Sequence, residues 1–260
     1  MTREATGGGL SGAISSETTK LFSVRSTWWC LIAGAGLMLA YAGLLGAVQH
    51  VGAEHPDSAH RIVSGGAFHL AQFAVVALAT LFVTSEYASG SIRSTLQWVP
   101  VRHRMLAAKA AVLVPVLFGY GVLLAAAGIA LAGPLVAGHG LPTTAGNVLA
   151  TAAGMGAYFA LLGLLCLGLG TALRSTAGTI VTVFVLLLMI PMFTGSLGAE
   201  QLVDYFPGFA GVNAMTEPGV PNAVFGAVSP YAPWVGVAPA AAWASAGLLA
   251  GAAVLRRRDA

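Results

Sequence analysis

Long apolar runs broken by short polar stretches set the pattern of this chain. No charged residue occurs between Arg25 and Glu54, a run long enough to cross ~30 Å of hydrocarbon as a helix. It predicts a first span over about 28–48, with Trp28 and Trp29 at its start, where an aromatic belt belongs. A cleaved signal peptide is the rival reading, but the run is longer than a typical signal core. A second span is expected over about 66–84, with His69 and Gln72 one turn apart, facing a partner helix or a polar cavity. The 64 residues from Ala110 to Leu173 contain no Asp, Glu, Lys or Arg. That is too many for one span and enough for two with a turn. The Gly, Pro and Asn of 133–147 supply the turn, which puts spans 3 and 4 at about 105–132 and 148–173.

The glycines of span 4, among them Gly156, Gly163 and Gly168, suit either close helix approach or a hinge. Spans 5 and 6 are expected at about 178–194 and 234–255. Between them lies an acidic segment in which Glu200–Phe206 can form a short helix ended by Pro207-Gly208, the remainder being loop or re-entrant. The fold class is therefore an all-α polytopic membrane protein with six transmembrane helices. A tail over 1–14 precedes a single six-span domain over 15–260.

Charge concentrates in one connection, residues 85–109, which holds Glu86, Arg93, Arg102, Arg104 and Lys109. Within it Ile92, Leu96 and Val99 are spaced i, i+4, i+7 and share one face of a short helix. Ser89 or Ser91 can cap its start, and Pro100 disfavours helix at Val99 and beyond. Such a helix lies on a membrane surface or fits a partner's groove; a basic loop with no partner is the plainer alternative. Ahead of span 1, residues 15–25 can form an interfacial helix with Ile14, Leu21 and Val24 as an imperfect apolar stripe.

Composition agrees with the pattern: 57% of the 260 residues are hydrophobic and 8% are charged, with a mean hydropathy of +0.82. The basic pI of about 9.1 does not point to nucleic acid, because the basic residues cluster at span ends. Eleven of them (Arg3, Lys20, Arg25, Arg93, Arg102, Arg104, Lys109, Arg174 and Arg256–Arg258) fall on one side of a six-span layout and only Arg61 on the other. Basic residues mark the cytoplasmic side, so both termini and the 85–109 loop are expected in the cytoplasm of a multi-pass plasma-membrane (cell inner membrane) protein.

Candidate chemistry is sparse. Cys30 and Cys166 both sit in apolar runs and make no metal or disulfide framework. His50, His55 and His60 near Glu54 and Asp57 match no ligand spacing, so a solvated loop is the favoured reading there. No phosphate-binding loop of the GxxxxGK[ST] type occurs. Gly195-Ser196 is half of a serine-nucleophile motif, but no His follows His139 to act as its base.

Glu86, Gly90 four residues later, Ile92-Arg93, Leu96, Pro100, Arg102 and Lys109 together resemble the loop after the second span of type-2 ABC exporter permeases. The run SSETTKLFSVRSTWWCLIAG, with Glu17, Lys20 and Arg25, resembles the same family's amphipathic helix leading into span 1. The resemblance covers most of the chain as a six-span layout, with its motifs confined to Ser15–Gly34 and Ser85–Lys109. It implies that Glu86, Gly90, Ile92, Arg93, Leu96, Val99, Pro100, Arg102 and Lys109 couple to a separate soluble ABC ATPase. It also implies a second permease chain, identical or a similar paralogue, and a hydrophobic or amphipathic cargo passing at the permease interface or the lipid-facing seam. The chain itself would hold no catalytic, cofactor or metal site, ATP and Mg being bound by the ATPase. Besides the proteins, membrane lipid is an expected partner and nucleic acid is not. The alternatives are an ion-driven secondary transporter and a non-transporting anchor subunit. Against the first, the middles of all six expected spans lack Asp, Glu, Lys and Arg, whereas ion-driven carriers place ionisable groups there.

Overall fold

The computed structural model describes residues 9–52, 57–91, 102–216, 219 and 228–257. The expected coupling helix, Ile92 to Val99, lies outside them. Helix α1 (Leu10–Ser23) leads through Val24 into α2 (Arg25–Gly52). Then come α3 (Ala59–Gly66), a π-helical turn at Ala67–Ala71 and α4 (Gln72–Ser89), followed by α5 (Arg102–Val136) and α6 (Ala145–Leu173). Further on are α7 (Thr176–Phe184), a second π turn at Val185–Met189, α8 (Ile190–Ser196), and the short α9 (Glu200–Val203) and α10 (Pro207–Asn213). A 3-10 turn at Pro233–Gly236 opens α11 (Val237–Arg257). Among the described residues six helical stretches are long and apolar enough to span a membrane, so the chain is an all-α polytopic membrane protein.

Span 2 (Ala59–Ser89) and span 4 (Ala145–Leu173) form the centre of the bundle. They bury 61% and 67% of their most apolar windows, against 22% for spans 1, 5 and 6. Span 2 starts seven residues before the expected position 66 and ends five after 84. Sequence pattern misses both extensions because each carries polar residues that read as loop, although His60, Ser64 and Glu86 among them face inward. His60 is buried beside Ser58 and Thr143, and the Ser64 hydroxyl donates to the His60 carbonyl at 2.9 Å. The stretch around His60, expected as solvated loop, is thus in part the buried start of a span, and Asp57 pairs with Arg61 at 3.3 Å. Among the described residues no group of three potential metal ligands gathers.

The span-4 glycines serve close approach. A Cβ on Gly121 of span 3 would lie 2.8 Å from the Gly156 Cα, and a Cβ on Gly168 would collide with the Gly247 backbone of span 6. Lipid tails and side chains are equally apolar, so spans gain by packing backbones closely rather than by leaving water.

The connection between spans 5 and 6 turns back into the bundle. Pro207 does not merely end a helix, as expected; it occupies the first turn of a new one, where its missing N–H costs nothing. Every residue of α10 is buried. Phe209 stacks obliquely on Phe68 with centroids 5.0 Å apart, and Gly208 fits between Phe68 and Leu187. Phe68 and Leu187 belong to the two π turns, whose wider backbone curve accompanies the inserted segment. Gln72 is fully buried; it accepts a hydrogen bond from the Tyr158 hydroxyl and donates to the Phe68 carbonyl. This joins span 2 to span 4 beside α10 and satisfies polar groups that could not remain bare in an apolar interior.

Candidate functional site

Helix α1 buries Ala13, Glu17 and Leu21, spaced i, i+4, i+8 along one face. Val24, counted in the apolar stripe from sequence, is instead the extended C-cap and is half exposed. The stripe looks imperfect because its central position is an acid, and that acid has a partner. Lys109 of span 3 is completely buried and its Nζ donates to Glu17 Oε2 at 2.7 Å and to Glu86 Oε1 at 2.9 Å. Lys20, one turn along α1, donates to Glu17 Oε1 at 2.7 Å and to the same Glu86 Oε1 at 2.9 Å.

Two carboxylates and two ammonium groups thus form a neutral cluster that ties α1, span 2 and span 3 together at the basic end of the bundle. Phe82 lies beneath Lys109, its ring centroid 4.4 Å from Nζ, which adds an attraction to the ring's negative face. Burial pulls the Lys20 ammonium toward deprotonation, but its hydrogen bonds to Glu17 and Glu86 outweigh this and hold its pKa above the ordinary value. Buried charges persist only when paired and hydrogen-bonded. Here one acceptor is left over: Glu86 Oε2 is buried and has no hydrogen-bond partner.

Span 2 is held at the same level to the connection between spans 4 and 5. Thr84 and Thr176 share a hydroxyl–hydroxyl hydrogen bond at 2.7 Å. Arg174, in a left-handed conformation with φ 54°, sets its guanidinium 5.4 Å from the centre of the Tyr87 ring.

Of the site residues expected from sequence, Glu17, Lys20, Glu86 and Lys109 come together in one contact set. Gly90 caps span 2 with φ 72°, its N–H donating to Tyr87 O at 3.3 Å. Arg25 is exposed at the start of α2, outside the cluster. Arg102 opens α5, and Ile92, Arg93, Leu96, Val99 and Pro100 lie outside the described residues. Sequence reasoning placed Glu86 and Lys109 in one charged connection but did not connect Glu17 or Phe82 to them. An acid between two small or apolar residues at helical spacing, as in Ala13–Glu17–Leu21, was the available signal.

A second polar cluster stands at the opposite end. Asp204 is buried between α9 and α10; Asn213 Nδ2 donates to its Oδ1 at 2.7 Å, and the Tyr231 hydroxyl donates to its carbonyl. Burial raises the Asp204 pKa above its ordinary 3.8, against the pull of the Asn213 hydrogen bond. A folded-state pKa that is raised means the folded protein holds the proton more tightly. The resulting stabilisation is complete below pH 3.8 and is lost as pH rises through the raised value. Asp204→Asn keeps an acceptor for Asn213 and carries no charge. It is therefore expected to melt above the wild type at pH 7, with the difference disappearing below pH 3.8, as thermal unfolding in detergent across pH would show. A wild type more stable than Asp204→Asn at neutral pH would reverse this assignment.

No protein-family model matches the chain, and no curated protein matches it.

Proposed function

We propose that the chain is the membrane-spanning permease subunit of an ATP-binding-cassette exporter, moving a hydrophobic or amphipathic cargo with energy from a separate ATPase. The observation that carries the reading is the Glu17–Lys20–Glu86–Lys109 cluster. Glu86 and Lys109 bracket the connection whose residues resemble a coupling helix, and both are bonded to α1. A push on that connection would therefore reach α1, span 2 and span 3 together, and through Thr84–Thr176 it would also reach the start of span 5. In this reading both termini and the basic end face the cytoplasm. Spans 1, 5 and 6, with little of their surface buried within one chain, provide faces for lipid and for a second permease chain.

Purification in mild detergent from the native host is the direct test. A soluble ATPase with a phosphate-binding loop should accompany the chain, and proteoliposomes holding both should transport on addition of ATP. An ion-driven carrier would instead use Glu86 and Lys109 as a proton relay, and purified chain alone would then transport down an imposed pH gradient. Recovery of the chain with no ATPase and transport driven by pH alone would overturn the exporter reading.

A further inference from the structure

Two histidines meet at the end of the bundle opposite the ion cluster. His50 lies in the last turn of α2, and His139 lies in the turn that follows α5. Both are exposed, yet their ring centroids stand only 4.9 Å apart, with the ring planes inclined at 62°. They are far apart in the chain, so no ligand spacing announces them.

The backbone beneath them is tied. Gln49, beside His50, is buried, and its Oε1 accepts from the Asp57 N–H at 3.1 Å. The Asp57 carbonyl in turn accepts from the Leu141 N–H at 3.0 Å. These two bonds link the end of span 1 to the turn that carries His139. Within that turn the N–H groups of His139 and Gly140 both donate to the Val136 carbonyl, at 3.0 and 2.8 Å, and Gly138 takes a left-handed φ of 81°. One layer further in, Gly46 of span 1 packs against Leu135 and Ala132 of span 3.

The ring nitrogens suit a cation. His139 Nδ1 is 3.2 Å from the Ala137 carbonyl. A carbonyl only accepts, so Nδ1 carries the proton and the lone pair of the neutral ring is left on Nε2. A hydrogen bond of this kind fixes the tautomer and orientation of metal-binding imidazoles. Among the described residues no hydrogen bond occupies either ring nitrogen of His50. Two imidazoles bound to one tetrahedral cation at metal–nitrogen distances of about 2.0–2.1 Å hold their ring centres about 5 Å apart, which is the separation present here. Asp57 is not a third ligand, because its carboxylate accepts from the Ser58 N–H at 2.8 Å and pairs with Arg61 at 3.3 Å. Water would complete the coordination, as it does in open sites.

We propose that His50 and His139 form a two-histidine site for a late first-row divalent cation. Imidazole nitrogen suits Cu2+, Ni2+ and Zn2+, with Cu2+ held most tightly. The bound cation clamps the end of span 1 to the turn after span 3. The site does not depend on an ATPase, so its failure would leave the exporter reading standing.

The test uses the full-length chain, purified in mild detergent with any affinity tag removed and titrated with Cu2+ under electron paramagnetic resonance. The tightest-bound Cu2+ should show two imidazole nitrogens in the wild type and one in His50→Gln or His139→Gln, and each variant should bind at least about tenfold more weakly. His103→Gln, in the first turn of α5 at the basic end, should bind as the wild type does. Zn2+ should raise the melting temperature of the wild type and leave that of His50→Gln and His139→Gln unchanged, because a ligand that binds only the folded state stabilises it. Both rings are exposed, so the melting temperatures without metal should agree. If a Gln variant unfolds, the Asn variant takes its place, and the wild-type nitrogen count stands independently of both. The rival is an edge-to-face contact of two neutral rings with no affinity for metal. Cu2+ held through fewer than two imidazoles, equal affinity in the two variants and the wild type, or an equal loss in His103→Gln would each overturn the proposal.

Discussion

Lys109→Met is expected to destabilise the protein more than any other single change at the ion cluster. The substitution removes a fully buried cation and leaves Glu17 and Glu86, both almost wholly buried, to share Lys20 alone. Removing one partner of a buried ion pair costs on the order of 3–5 kcal/mol, because the remaining charge stays out of water without compensation. The apolar stem of Met keeps most of the packing over Phe82, so the loss reports on charge rather than on a cavity. The cost is predicted to fall when the charges are balanced again: Glu17→Gln added to Lys109→Met leaves one acid and one lysine and should recover part of the stability. A second readout follows the helix itself. A cysteine at Ala13, which is buried in the wild type, should react faster with a thiol reagent in Lys109→Met once Cys30 and Cys166 have been replaced. An unchanged melting temperature together with an unreactive cysteine at position 13 would mean that the cluster does not hold α1 down.

Leu96→Asp is expected to release the ATPase while leaving the chain in the membrane. This prediction rests on the proposed exporter function and on the helical spacing of Ile92, Leu96 and Val99. A helix of that length cannot span, so its apolar face is covered either by the lipid surface or by a protein groove. Truncating a buried interfacial anchor costs on the order of 1–3 kcal/mol, about a ten- to hundredfold loss of affinity, and placing a carboxylate there costs more. Leu96→Ala should thus weaken recovery of the ATPase in a pull-down and Leu96→Asp should abolish both recovery and ATP-driven transport. Full recruitment by Leu96→Asp would assign the face to the lipid surface.

The two kinds of error in the sequence reading have one origin. Span 2 was expected to be shorter than it is because His60, Ser64 and Glu86 read as loop residues, and each is polar. In the folded chain they are inside, where His60 meets Thr143, Ser64 meets its own helix backbone and Glu86 meets two lysines. The stripe on α1 looked broken for the same reason: Glu17 occupies an apolar face because Lys109, 92 residues later, neutralises it. Pro207 was expected as a terminator, a role it shares with its role at a helix start. The choice between the two depends on whether the following residues find a buried seat, which Phe68, Tyr158 and Leu187 supply.

Sequence alone determined the class of the protein, the number of spans and the approximate place of each, because the length of an apolar run and the positions of its flanking charges are local properties read against a fixed hydrocarbon thickness. It also singled out Glu86 and Lys109 as residues of interest through their scarcity in an apolar chain. Only the tertiary structure decided that these two close a neutral cluster with Glu17 and Lys20. It likewise decided that α10 turns back against the two π turns, and that the span-4 glycines serve contact rather than bending. Each of these is a meeting of residues far apart in the chain. Hydrophobicity specifies that a helix is buried but not which neighbour it faces, and the neighbour is chosen by fit of backbone to backbone and of charge to charge once the spans have assembled.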